Sequence, residues 1–209
     1  MTRKEARERV RFLLQEPDPS GRFSDTELNI YINEAYRMVS ERSDILVKET
    51  EIPVSPGNSQ IILPAGVLDI KRIKVGDVVL DETTQDEMDR MFASWESMNG
   101  TPQWYIRYSP SVVRLVPTPD RSMTAFITHS YAPAPFSLDV SGDDEDFDLP
   151  DSLVDAVVRF AAYRALMVDE NPRAQQMLQE FEIYFNDAVA RLRRFTTKAL
   201  TDRVRTTRR

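Results

Sequence analysis

The chain has no cysteine. That absence removes disulfides, thiol catalysis and every Cys-based zinc or iron–sulfur site. There is one histidine, His129, so no site within one chain can use two imidazole ligands. The six glycines stand at 21, 57, 66, 76, 100 and 142, too scattered for GxGxxG or a phosphate loop. No G-x-S-x-G elbow occurs. Ser130 adjoins His129, but adjacent strand residues face opposite sides and cannot form a nucleophile–base pair; His129 reads as a packing or strand-surface residue. No run of 18 apolar residues exists, and Met1–Glu5 leads straight into charge without a signal-peptide apolar core. The expectation is a cytosolic chain with no membrane association.

What is abundant is charge: 34 acidic and 27 basic residues, net −7. The average hides an asymmetry. Arg191, Arg193, Arg194, Lys198, Arg203, Arg205, Arg208 and Arg209 are opposed only by Asp202, so this end carries +7 and residues 1–190 carry −14. A second block has the other sign: Asp139, Asp143, Asp144, Glu145, Asp146, Asp148 and Asp151, with no basic residue between them. Such blocks mark interaction surfaces or solvated tails. For the acidic loop the solvated reading is favoured; for the basic end, an interaction surface. A calcium loop does not fit, because Gly142 precedes the acids and Pro150 intrudes. No carboxylate pair stands out by spacing. The expectation is no metal, no cofactor and no catalysis, with a carboxylate-only enzyme as the remote alternative.

Hydrophobic residues make up 41% of the chain, enough for one sizeable core or two small ones. Residues 2–15 read as a helix with Ala6, Val10, Leu13 and Leu14 on one face. The breaker cluster Pro17–Gly21 follows. Ser24 and Glu27 have capping-box spacing, opening a helix to about Ser40 that buries Leu28, Ile32, Ala35, Tyr36 and Val39. Asn33 on it reads as a polar surface or cap-contact residue. Alternating strands are expected at 49–54, 60–63, 67–75, 78–80, 103–108, 112–116 and 124–131. A short helix capped by Thr84 lies among them, and Trp95 and Trp104 read as anchors of this lobe. Pro150 fits the first turn of a wide-faced central helix to about Asp169. The last helix carries Met177, Leu178, Phe181, Tyr184, Phe185, Ala188, Val189 and Leu192. Beyond Phe195 the apolar residues thin. Ordering each residue costs about 1–2 kcal/mol of backbone entropy, so residues 196–209 are expected to lack order in the lone chain.

The expected fold is α+β, a helical bundle from the N- and C-terminal helices with an inserted antiparallel β-rich lobe. Its parts are residues 1–44 and 149–195 (bundle), 45–148 (lobe with one short helix) and 196–209 (basic C-terminal arm).

The ordered layout resembles the head-to-tail adaptor (connector) proteins of tailed double-stranded-DNA bacteriophages. Ser24-Asp25-Thr26-Glu27-Leu28-Asn29-Ile30-Tyr31-Ile32-Asn33-Glu34-Ala35 is similar to that family's "D-x-E-L-x-x-Y-I-N-x-A" helix. Leu63-Pro64 to Ile70 resembles its "L-P-x-x-x-L-x-I" run, Gly100-Thr101-Pro102-Gln103-Trp104-Tyr105 its "G-x-P-x-x-Y" turn, and Leu115-Val116-Pro117-Thr118-Pro119 its "L-x-P-x-P" strand end. Leu149-Pro150 and the helix with Ala161, Ala162, Tyr163 and Ala165 match its close.

The resemblance implies a structural virion protein. It would form a homo-oligomeric ring of twelve copies at the portal vertex, dock on the portal protein, extend the channel for double-stranded DNA, and offer a face to a downstream nozzle or tail-tube protein. It would pass through the host cytoplasm during assembly. The C-terminal segment would be the portal-binding arm, with Leu192, Phe195 and Leu200 as apolar anchors and Arg191, Arg193, Arg194, Lys198, Arg203 and Arg205 pairing with acidic grooves. Two alternatives stand beside it: another virion assembly or tail-completion protein, and a nucleic-acid-binding module that uses the basic end.

Overall fold

A computed structural model describes the backbone of residues 1–16 and 21–206 and, apart from Val140 and residues 195–206, their side chains. The fold is mixed α+β, with N- and C-terminal helices flanking a β-rich region, as the sequence implies. Two compact units divide it: Met1–Ser43 with Pro133–Arg209, and Asp44–Ala132.

The helical unit holds α1 (Arg3–Leu14), α2 (Asp25–Ser43), α4 (Asp151–Val168) and α5 (Arg173–Thr206). Each start has a local cause. Thr2 caps α1 in a capping box with Glu5. At α2 the Glu27 amide donates to Ser24 Oγ at 3.2 Å while the Ser24 amide donates to the Glu27 carboxylate at 2.8 Å, which satisfies helix-end donors reciprocally. Helix α4 is the hub, in contact with α1, α2 and α5. Its buried face is wide: Leu153, Val154, Ala156, Val157, Val158, Ala161, Ala162, Ala165 and Leu166. The four alanines let neighbouring backbones approach, so one helix can serve three partners.

The β-rich unit holds β1 (Val47–Val54), β2 (Gln60–Ile62), β3 (Val67–Val75), β4 (Val78–Val79), β5 (Asp81–Thr83), α3 (Gln85–Met91), β6 (Asn99–Gly100), β7 (Trp104–Ser109), β8 (Val112–Val116), β9 (Thr118–Pro119) and β10 (Met123–Tyr131). One sheet has the order β1-β10-β3-β4, another β2-β8-β7-β5, and β6 pairs with β9. Ladders are antiparallel except β5 with β7 and β6 with β9. The core takes the inward positions of both four-stranded sheets, among them Ile70, Ile73, Ala125 and Ile127 from one and Ile61, Val113, Leu115 and Tyr105 from the other. Met88, Trp95, Ile106 and Val116 form a satellite cluster with Trp104 packed against it, so both tryptophans anchor the lobe. His129 is a buried packing residue; its Nε2 lies 3.0 Å from Thr50 Oγ1 and its Nδ1 3.2 Å from the Ser130 carbonyl oxygen.

One boundary differs from the sequence reading. Residues 133–148 belong with the helices and not with the lobe, because α1 and α2 hold their backbone by side-chain hydrogen bonds described below. The backbone of the last helix is helical from Arg173 to Thr206. From Arg173 to Thr206 there is no glycine or proline to stop it, and Ala, Leu, Arg and Lys are strong helix formers. Residues 207–209 lie outside the described residues.

Glycine scarcity shows at the helix ends. Helix α4 closes in a Schellman pattern, the Glu170 amide donating to the Met167 carbonyl at 3.1 Å and the Asn171 amide to the Leu166 carbonyl at 3.0 Å. The pattern puts exposed Glu170 at φ 51°, where a Cβ costs roughly 1–2 kcal/mol. Glu170→Gly removes that cost but adds unfolded-state entropy. It should raise the stability of the helical unit by about 0.5–1 kcal/mol, read as a higher denaturant midpoint at unchanged slope. A lower midpoint would mean that the Glu170 side chain contributes more than its backbone strain costs.

Candidate functional site

Two charged features of the helical unit carry its surface chemistry: the acidic loop and the last helix. The loop is not merely solvated. Three arginines at every fourth position of α1, namely Arg3, Arg7 and Arg11, are buried. The Asp143 carboxylate receives Arg3 at 2.6 Å and both terminal nitrogens of Arg7 at 2.7 and 2.8 Å. Those bonds, the one from Arg7 first, hold the Asp143 carboxyl well below the usual carboxylate range, because each favours the charged form. Arg3 also donates to the Ser137 and Asp139 carbonyls, and Arg11 pairs with Asp25.

Helix α2 supplies a second row. Asn33 receives the Phe136 amide at 3.0 Å and donates to the Phe136 carbonyl at 2.9 Å, a reciprocal pair that serves one residue's backbone twice. Asn29 donates to the Leu138 carbonyl at 2.9 Å, and the Asp148 amide donates to the Tyr36 hydroxyl at 3.0 Å. Asn33 is thus a strap contact. The two rows pin residues 136–148 along α1 and α2, leaving Asp144, Glu145, Asp146 and Asp148 exposed.

Helix α5 is fixed at its base. Met177, Phe181, Phe185, Ala188 and Val189 are buried. Arg42 of α2 meets Glu182 at 2.8 Å and lies over the Phe185 ring at 4.5 Å. The Phe160 and Phe181 rings are 5.1 Å apart, and the Arg159 guanidinium lies 3.4 Å from the Tyr184 ring centroid. These pairs set an antiparallel register in which Asp151, the first residue of α4, stands level with about Leu192. Of the expected arm residues, Arg191 is exposed and pairs with Asp187 at 2.6 Å, Leu192 is half-buried, and Arg193 and Arg194 are exposed. Phe195, Lys198, Leu200, Arg203 and Arg205 lie on the same helix by backbone, and their side chains are outside the described residues.

In the β-rich unit the Tyr105 hydroxyl donates to Glu82 at 3.0 Å, and Arg107 bridges Glu82 and Asp69. Burial and the Glu82 charge push the Tyr105 phenol up to about 12. It stays protonated at neutral pH and ties β7 to β5. Among the described residues no group of three or more His, Asp or Glu is placed to hold a metal ion, and no helix is long and apolar enough to cross a membrane.

The α1 arginine row is absent from the sequence reading. Its i, i+4, i+8 spacing was the available signal, together with an acidic block that has no local basic partner.

The helical unit thus holds an acidic strap against α1 and α2 and carries a long charged helix, α5. The chain belongs to the SU10 adaptor protein family, whose model matches residues 1–209, and is accordingly a bacteriophage adaptor protein. A comparison with curated proteins gave no match.

Proposed function

We propose that this adaptor is the head-to-tail connector of the virion, docking on the portal through the end of α5. One observation carries the reading: α5 has 34 residues and its partner α4 has 18. With the register set by Arg159–Tyr184 and Phe160–Phe181, residues from about 193 to 206 extend past α4. At 1.5 Å per residue that overhang is roughly 20 Å long. At 100° per residue Arg191, Arg194, Lys198 and Arg205 fall within one 60° arc, a basic stripe suited to an acidic groove. Phe195 lies 40° from the edge of the stripe, and Leu192 and Leu200 fall 100° or more from it. An arm that is already helical loses less entropy on docking than one that must first fold.

In a closed ring of twelve, the first arms to dock raise the effective concentration for the rest, so modest single contacts sum to a tight assembly. The net negative charge of residues 1–190 would let double-stranded DNA pass along the ring without adhering. The β-rich unit would offer the face for the nozzle or tail-tube protein. The site of action is the portal vertex of the virion, reached from the host cytoplasm.

The test is deletion of residues 196–209 and a binding titration against purified portal rings. Binding should weaken by about 100-fold or more; undiminished binding removes the arm from the mechanism. The basic stripe also suits a nucleic-acid reading. A mobility-shift titration on the same two proteins decides it: tight, salt-sensitive DNA binding lost on deletion would favour that reading over portal docking.

A further inference from the structure

The outer face of the sheet β1-β10-β3-β4 is sorted by charge, strand by strand. Val54, Ile73, Val75, Ala125 and Ile127 point into the core of the lobe, so the positions between them point away from it. The register sets these outward residues in rows across the strands. Glu49 stands opposite Thr128 and Thr128 opposite Arg72; Glu51 stands opposite Phe126 and Phe126 opposite Lys74. Strand β1 thus gives an acidic line, β10 a neutral line and β3 a basic line. Glu49, Glu51 and Arg72 are exposed, and Phe126, Thr128 and Lys74 are half-buried. Their contacts within the chain are slight: Thr128 Oγ1 donates to Glu49 at 3.3 Å, and Lys74 meets the exposed Asp77 at 3.5 Å. Lys48 alternates to the other face and lies over the Tyr131 ring at 4.4 Å. Farther along β3, Asp69 is taken up by Lys71 and Arg107.

We propose that this face is a self-docking surface for a second copy of the chain, with two sheets stacked about a two-fold axis that runs along β10. Such an axis sets β1 of each copy over β3 of the other. Because Glu49 shares a row with Arg72, and Glu51 with Lys74, each carboxylate comes level with a cation of the partner, and the two-fold repeats the contact. Phe126 and Thr128 lie on the axis, each against its own copy. Face-packed sheets stand about 10 Å apart with strands within about 30° of one another, a gap that Glu, Arg and Lys side chains bridge. A two-fold axis across the strands would lay β1 over β1 and set acid against acid. Edge-to-edge pairing of two β1 strands about Thr50 would set Glu49 against Glu51, which like charge opposes. The charge order therefore selects one stacking.

Three strands about 4.8 Å apart and eight residues at about 3.4 Å give a patch of roughly 400 Å² per copy. That is about half the share of one partner in a standard interface, so the pair is weak, and salt weakens it further because its charges are exposed. The contact uses the β-rich unit alone and stands apart from portal docking by α5.

The experiment is sedimentation equilibrium of the full chain at 500 µM in 50 and 500 mM NaCl, with far-UV circular dichroism to verify the fold. The wild type should dimerise at low salt, with its dissociation constant at least tenfold higher at high salt. Glu49→Lys with Glu51→Lys should abolish the dimer, and so should Arg72→Glu with Lys74→Glu. The chain carrying all four changes should dimerise again. The lack of cysteine gives a second readout. Phe126→Cys, on the axis, should cross-link to its own copy through a short bis-maleimide. Val79→Cys, two strands from the axis and so roughly 20 Å from its copy, should not. A wild type that stays monomeric at 500 µM and 50 mM NaCl overturns the proposal. So does an association that ignores either double reversal, a folded four-fold variant that fails to recover, or a Val79→Cys chain that links as readily as Phe126→Cys.

Discussion

Replacing Asp143 with alanine should lower the stability of the helical unit by about 3–5 kcal/mol. The side chain accepts from Arg3 and from both terminal nitrogens of Arg7, and both arginines are buried. Alanine leaves two buried cations short of counter-charge: Arg7 keeps only Asp25 at 3.4 Å, and Arg3 keeps only the Ser137 and Asp139 carbonyls. The cost is that of the stranded charges and exceeds the net value of the ion pairs. Asp143→Asn keeps a polar acceptor and loses the charge, so it should fall between. Asp144→Ala, one residue on and exposed, should stay within about 0.5 kcal/mol of wild type. The pH dependence has a fixed sign. The folded Asp143 carboxyl titrates below its unfolded value, so its contribution is complete above roughly pH 4–5 and is lost as pH falls toward the lowered folded value. Hydrogen exchange of α1 amides in a denaturant series reads the helical unit separately from the β-rich one. If Asp143→Ala exchanges like Asp144→Ala, the strap is held by Asn29 and Asn33 and not by the arginine clamp.

That clamp marks the limit of what the sequence discloses. Local chemistry was legible: Ser24 and Glu27 close the expected capping box, and Thr84 caps α3 with Glu87 as its return partner. Period-two patterning located β3 and β10 because each has one face in a core. The order β1-β10-β3-β4 was not legible, since it joins residues some 80 positions apart, as in Glu49 opposite Thr128. The α1 arginines were hidden for the same reason. An arginine on a helix reads as surface until a carboxylate about 140 positions away makes its burial tolerable. The length of α5 has a different ground. Thinning of apolar residues does not by itself end a helix, which stops at a breaker or a cap, and no glycine or proline stands between Arg173 and Thr206. For the arm, the residue types and their spacing were legible and the length of the projecting helix was not. That length depends on α4 ending its contact near residue 192.

Phe181→Ala should cost about 3–5 kcal/mol, because Phe181 is wholly buried where three elements meet. Its ring is 5.1 Å from that of Phe160 on α4 and 5.7 Å from that of Phe185, and the Arg42 guanidinium of α2 lies 5.5 Å from its centroid. The cavity would undo packing on both neighbouring helices at once. Phe181→Leu retains most of the volume and should cost under about 1.5 kcal/mol. Tyr184→Ala, at the half-exposed contact with Arg159, should cost under about 1 kcal/mol. The comparison separates base from tip. Deleting residues 196–209 removes no residue of the buried stripe, so urea unfolding of the remainder should hold its midpoint, while Phe181→Ala lowers it. A Phe181→Ala midpoint equal to that of the deletion would mean that the stripe does not anchor α5. A lever needs a fixed base, so an arm without that anchor could not hold its basic stripe in one orientation for any partner.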